Sequence, residues 1–259
     1  MPFIDSHTHL DFLAFDIDRS QVINRALKAK VSKIILSATT AQGWQGLGAI
    51  VEKYPSQCFS AYGLHPMFMI EHQTKHLADL PQYLKTENVV AVGEIGLDYF
   101  ISKPDKQAQL ELFLAQLDIA SEMDLPVIIH ARKSLDIILK YLRRYPSLRG
   151  SIHSFSGSEQ QARQLIDLGF YLGFGGPITY TRATKLQKLV KILPLESLLL
   201  ETDSPDQPDA SHYGMRNEPA FLPKVAETIA TLRGIKIEDV AKVTTDNAIK
   251  LFGFKSTSN

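Results

Sequence analysis

Eight short apolar runs punctuate the chain, and between them lie segments whose apolar residues recur at helical spacing. The runs are FIDSHTH (3–9), KIILSAT (33–39), FSAYGLH (59–65), VVAVGEI (89–95), PVIIHA (126–131), GSIHSF (150–155), GFYLGFG (169–175) and SLLLETD (197–203). Stretches of four to six apolar residues without clean alternation suit parallel strands buried on both faces. Phe113, Leu117 and Ala120 mark a helix over 106–123, and Leu139 and Leu142 another over 134–144. Ser158 followed by Gln161 has the form of a capping box, and Pro219 suits the first turn of a late helix. A last helix is expected over 237–252, ending near Gly253.

Eight strand-then-helix units in 259 residues predict a (β/α)8 TIM barrel, somewhat distorted, with an additional C-terminal helix. The alternative is an open doubly wound sheet. No glycine-rich dinucleotide turn follows the first strand, which argues against it. No Pro/Gly/Ser-rich linker or low-complexity segment divides the chain, so residues 1–259 read as a single hydrolase-sized domain.

Charge and cysteine content narrow the possible partners. Lys plus Arg equals Asp plus Glu at 28 each, so no global basic field attracts a polyanion and any nucleic acid must be gripped locally. Cys58 is the single cysteine, which excludes an intrachain disulfide and fits a reducing compartment. The N-terminus lacks a basic region followed by an apolar stretch, and no run approaches the ~18 apolar residues of a membrane span. A cytoplasmic protein with no membrane and no obligate protein partner is expected.

The candidate chemistry sits at the ends of the runs. In a barrel of this kind catalytic groups project from the C-terminal ends of strands. His7 and His9, one residue apart, point to the same side of the first strand together with Asp5. His65 follows the third run, Glu94 ends the fourth, His130 the fifth, His153 the sixth and Asp203 the eighth. His72, His76 and His212 fall elsewhere and read as solvated residues with no role. A single histidine is more often a hydrogen-bonded core residue than a ligand. Four imidazoles and two carboxylates at one rim would be a costly buried cluster without cations to neutralise it.

Six ligands, one of them a carboxylate able to bridge, are more than one cation with three protein ligands requires. Two divalent cations are therefore expected. The economical partition puts His7, His9 and Asp203 on one and His130 and His153 on the other, with Glu94 spanning both. Such a pair activates water and stabilises the attacking and leaving oxygens of a phosphoryl displacement, and Asp203 is placed to orient or deprotonate that water. Imidazole-rich ligation favours Mn2+ or Zn2+ over Mg2+.

DSHTHLD at the start, GLHP at 63–66, VGEIGLDY at 92–99, PVIIHAR at 126–132, HSFSG at 153–157, LLETDSP at 199–205 and RNEP at 216–219 together resemble the TatD family of metal-dependent deoxyribonucleases, within the amidohydrolase-like barrels. The similarity runs from Phe3 to the C-terminal helix and is strongest to the YjjV-like branch. It implies a distorted (β/α)8 barrel, two divalent cations and hydrolysis of DNA phosphodiesters, often from the 3′ end. Residue by residue it places His7, His9, Glu94, His130, His153 and Asp203 in the metal shell. It also implies that His65 and Arg132 lie near the substrate phosphate, where a guanidinium can fork onto phosphate oxygens. The simpler reading of Arg132 is a salt bridge to a neighbouring carboxylate.

One position departs from the pattern. Many family members carry an aromatic residue after ETDSP, where this chain has Asp206. An aromatic there could stack a base, whereas an acid repels phosphate unless a cation intervenes. Tyr99, Phe155 and Phe174 could contact a base, but core packing is the simpler reading of each. A phosphodiesterase acting on nucleic acid ends or on a small phosphodiester leads. An amide or ester hydrolase is the alternative, disfavoured because Glu94 stands where many amide-hydrolysing relatives carry a bridging lysine. A non-catalytic metal-binding barrel comes third.

Overall fold

A computed structural model describes residues 2–254. Eight strands alternate with helices along the chain: β1 Phe3–Thr8, β2 Val31–Ser37, β3 Cys58–Tyr62, β4 Val89–Asp98, β5 Val127–Arg132, β6 Gly150–Ile152, β7 Phe170–Phe174 and β8 Leu198–Leu200. The helices are α1 Arg19–Lys28, α2 Trp44–Lys53, α3 Thr74–Tyr83, α4 Lys106–Glu122, α5 Leu135–Leu142, α6 Glu159–Asp167, α7 Thr184–Ile192, α8 Leu222–Arg233 and α9 Ile237–Phe252. The sheet order is sequential from β1 to β8, and the pairs β3–β4, β4–β5, β5–β6 and β7–β8 are parallel. This is the (β/α)8 barrel. A sequential order is incompatible with the doubly wound alternative, whose strand order reverses at a switch point.

The irregularities are local. β6 and β8 are three residues long whereas β4 has ten, and the β3–β4 and β4–β5 registers each shift once. β4 extends three residues past the apolar run that predicts it, because Gly96 continues the strand at φ +140. A Cβ on Gly96 would lie 2.1 Å from the His130 carbonyl oxygen, so only glycine permits this close approach to β5. The extension carries Asp98 to the strand end beside His130 and Arg132.

By internal contacts the chain falls into two compact units, residues 36–171 and residues 1–35 with 172–259. In the first, Ile95, Leu97, Ile128 and Ile129 of the strands and Phe113, Leu117 and Ala120 of α4 are all buried, as strand runs and helical spacing predict. Asp105 caps α4, its carboxylate accepting the Ala108 N–H at 3.0 Å. Ser158 and Gln161 form the expected capping box of α6, with both reciprocal bonds present at 2.9 and 3.2 Å. In the second unit, Ile4 and Leu10 at the β1 end, Leu198 to Leu200 of β8, Leu222, Val225 and Ile229 of α8, and Val240 and Leu251 of α9 are buried. Gly253 ends α9 in the left-handed conformation, at φ 69. Pro219 opens a 3-10 turn just ahead of α8. Among the described residues no helix is long and apolar enough to cross a membrane.

Candidate metal centre

In the unit formed by the two ends of the chain, β1 delivers His7 and the residue after next, His9, and the segment after β8 delivers Asp203. The backbone fixes this arrangement: Asp203 N–H donates to the His7 carbonyl at 3.0 Å, and His9 N–H to the Ser204 carbonyl at 2.8 Å. The His7 and His9 rings meet at 88° with their Nε2 atoms 3.3 Å apart, and the Asp203 Oδ1 lies 3.4 and 3.5 Å from those nitrogens. Two imidazole nitrogens that face each other can share at most one proton, so at least one lone pair is directed into the group. His9 is also stacked on Phe12, with centroids 4.7 Å apart, which fixes its plane. The second carboxylate oxygen of Asp203 accepts a bond from the Gln207 side-chain amide.

Asp5 does not join that group. Its carboxylate accepts the Thr202 hydroxyl at 2.6 Å and the Thr202 N–H at 2.9 Å, and complete burial pushes its pKa up to about 7. Asn217, from the RNEP motif, donates to the carbonyls of Thr202 and Asp206, both at 2.8 Å. Its neighbours Arg216 and Glu218 pair with Asp18 and Arg25, so this motif shapes the loop after β8 by ordinary hydrogen bonding. Asp206 is exposed, and its N–H donates to the Asp203 carbonyl at 2.9 Å.

In the other unit, β4 supplies Glu94 and Asp98, β5 supplies His130 and Arg132, and His65 and His153 follow β3 and β6. Three imidazole nitrogens converge on the single oxygen Oε1 of Glu94: His130 Nδ1 at 3.0 Å, His65 Nε2 at 3.1 Å and His153 Nε2 at 3.3 Å. His65, Glu94 and His130 each offer one ligand atom within 4.8 Å of the others. His65 Nδ1 accepts the Met67 N–H, which leaves the proton of the neutral ring on Nε2. All four residues are at most 7% exposed.

His130 is held from both sides. Its Nε2 donates to Asp98 Oδ2 at 3.0 Å while Nδ1 faces Glu94. Burial opposes protonation of the ring, but Asp98 and Glu94 outweigh it and lift the pKa to about 9. For Asp98 burial again opposes the charge, and the bonds from His130 and the Phe100 N–H overcome it and hold the carboxyl below its usual range. An imidazole that donates one N–H to a carboxylate while its other nitrogen faces the donor cluster has the arrangement of a supported metal ligand. Arg132 reaches the same carboxylate only loosely, with Nη1 3.9 Å from Asp98 Oδ2, and its side chain is 47% exposed.

The donor sets of both clusters fit divalent cations. Each gathers buried imidazole nitrogens and a carboxylate oxygen into one small group, and nitrogen-rich donors suit Zn2+ or Mn2+ while carboxylates also admit Mg2+.

Several side chains behave differently from the sequence expectation. His72, His76 and His212 are not free in solvent. His72 Nε2 donates to the His65 carbonyl at 2.8 Å, His76 Nδ1 accepts the Gln73 N–H at the start of α3, and His212 pairs with Asp209 at 2.7 Å and stacks on Phe221 at 3.6 Å. Phe155 and Phe174, by contrast, agree with the core-packing reading, each 2% exposed. Tyr99 is half-buried under the Lys106 ammonium, 5.0 Å from the ring centre. Cys58 is buried, and burial raises its thiol to about 12, so it stays protonated and chemically quiet.

Three supports have no role in the sequence reading. Asp98 lies just past the predicted fourth run. Gln109 and Gln116 are buried on α4, each clamping a strand-end main chain: Gln109 binds that of Asp98, and Gln116 that of Leu64, next to His65. Buried glutamines at the spacing of the apolar residues Phe113 and Leu117 were the available signal.

A family model described as TatD related DNase matches residues 4–253. The chain is 41% identical over 253 residues to a protein of Escherichia coli K12 described as the uncharacterized metal-dependent hydrolase YjjV, covering 96% of this chain and 97% of that one. It is 37% identical to YabD of Bacillus subtilis, described in the same words, over 96% and 98% of the two chains. The crystal structure of the Escherichia coli YjjV protein, a TatD homolog, superposes with a TM-score of 0.93 at 39% identity over 98% of each chain. An Escherichia coli phosphotriesterase homology protein, solved with phosphate in its active site, shares the fold at a TM-score of 0.67 and 16% identity, over 97% and 98% of the two chains. The chain belongs to the TatD-related DNase family, as a metal-dependent hydrolase built on a (β/α)8 barrel.

Proposed function

We propose that this protein is a two-metal phosphodiesterase that removes nucleotides from nucleic acid ends, a TatD-type deoxyribonuclease with 3′ to 5′ exonuclease character. The observation that carries the reading is the convergence of His65, His130 and His153 on one oxygen of Glu94, matched in the other unit by His7, His9 and Asp203. One divalent cation is assigned to each cluster. Bound there, such cations supply a water of lowered pKa and Lewis-acid stabilisation of a phosphoryl oxygen.

The protein's own groups have definite tasks. Asp203 accepts the proton of the attacking water, its carboxylate oriented by Gln207 on one oxygen and by His7 and His9 beside the other. Glu94 would be the carboxylate ligand of the group it forms with His65, His130 and His153. Asp98 holds the tautomer and plane of His130. Arg132, exposed and only loosely paired, is available to fork onto phosphate oxygens. His65, expected to touch phosphate, instead lies in the donor group around Glu94, and we assign it a ligand-supporting role.

The discriminating experiment offers chelator-stripped protein a small chromogenic phosphodiester and a carboxyl ester, each with Mg2+, Mn2+ or Zn2+ restored. Metal-dependent turnover of the phosphodiester supports the reading. Cleavage of the ester alone transfers the site to acyl chemistry.

A further inference from the structure

Phe100 is the exposed aromatic residue nearest in sequence to Asp98, with 54% of its surface accessible. Its backbone is pinned: the N–H groups of Phe100 and Ile101 both donate to Asp98 Oδ1, at 2.8 and 3.3 Å. Two cations lie against the ring, the Arg132 guanidinium 4.2 Å and the Lys133 ammonium 4.6 Å from its centre. Such contacts are each worth about 0.5–1 kcal/mol at exposed sites, enough to bias two flexible side chains toward one place. Among the described residues Lys133 makes no ion pair, and Arg132 reaches its carboxylate only at 3.9 Å. Two neighbouring positive groups are thus gathered on one ring without acids to neutralise them fully.

We infer that Phe100, Arg132 and Lys133 form a clamp on the phosphates of the substrate strand, in which Lys133 adds a second cationic contact beside Arg132. The inference rests on the phosphodiesterase reading for its setting and deepens it by naming Lys133 as a further residue that contacts the substrate. The arrangement also resolves how a chain with 28 basic and 28 acidic residues can hold a polyanion: the grip is local. Lys133 adopts a left-handed backbone, at φ 53, immediately after β5, which turns the residue following Arg132 out of the strand.

The test reads binding without turnover. Chelator-treated full-length protein is titrated against a short fluorescent oligothymidylate by anisotropy over a series of salt concentrations. Lys133→Gln removes the charge and keeps a polar, unbranched side chain, Lys133→Arg restores the charge, and Phe100→Leu keeps an apolar side chain without the ring. The clamp predicts that Lys133→Gln weakens binding about fivefold and lowers the slope of log affinity against log salt by about 0.7. Lys133→Arg should recover both, and Phe100→Leu should weaken binding with both cations still present. Unchanged binding in Lys133→Gln, or no oligonucleotide binding by the wild-type protein, overturns the clamp. Turnover of the chromogenic phosphodiester by metal-loaded wild-type protein reports on the catalytic assignment separately. If that turnover is absent while Lys133 still governs binding, the clamp stands and the phosphodiesterase reading falls.

Discussion

Gln109 grips the main chain of Asp98 with both ends of its amide, accepting the Asp98 N–H at 2.9 Å and donating to the Asp98 carbonyl at 3.1 Å. Both residues are buried, at 1% and 0% exposure, so no solvent can replace these bonds. Gln109→Leu keeps the volume and strands two backbone groups, which costs about 1–3 kcal/mol for each group left unsatisfied. Urea unfolding should show that loss. A variant within ~0.5 kcal/mol of wild type, the range of an inert surface change, would mean that the clamp does not hold the strand end.

The same strand end supports His130. Asp98→Asn removes the charge that His130 Nε2 donates to but retains the shape of the side chain. Loss of a partner of this kind typically weakens metal binding about 10- to 100-fold. Titration of stripped protein with Zn2+ or Mn2+ should show the weakening, and unaltered affinity would remove Asp98 from the support of the ligand.

Cation stoichiometry separates the two clusters. Wild-type protein should hold two equivalents by elemental analysis. His130→Ala should lose the one assigned to the Glu94 group, and His7→Ala the one assigned to Asp203 and His9. A wild-type protein that saturates at a single equivalent contradicts the two-cation reading.

Acid stability should depend on Asp18. Bonds from Arg216 and Arg25 hold its carboxyl down at about 2, against an ordinary value of 3.8. A depressed folded-state pKa contributes stability that is present above pH 3.8 and is lost as pH falls through about 2. Asp18→Asn should therefore lower the melting temperature near neutrality, and the gap to wild type should close between pH 3.8 and 2. A gap that persists unchanged at pH 2 would show that the carboxylate charge is not its source.

Much of this architecture is legible in the chain because each strand is an apolar run buried on both faces, and all eight runs overlap strands. The terminal helix over 237–252 matches to the residue, since its start, periodic face and Gly253 stop agree. The six candidate ligands gather into two groups of neighbouring side chains because strand ends are recognisable from where the apolar runs stop. What escapes detection is support supplied from a distance. Gln109 and Gln116 lie at the spacing of the apolar residues of α4, but what they hold becomes readable only when the main chains of Asp98 and Leu64 are seen against them. Asp98 escapes because Gly96 reads as a strand stop, whereas here it is what lets the strand continue. His72 and His212 read as solvated because the partners that hold them, the His65 carbonyl and the ring of Phe221, become visible only in three dimensions.

The most direct test follows single-stranded DNA labelled at its 5′ end, incubated with stripped protein to which Mg2+, Mn2+ or Zn2+ is returned, alongside folded Asp203→Asn. The account predicts metal-dependent, stepwise shortening from the 3′ end by the wild-type protein and intact DNA with Asp203→Asn. DNA left intact by the wild-type protein under every cation, or shortened equally by Asp203→Asn, would contradict it.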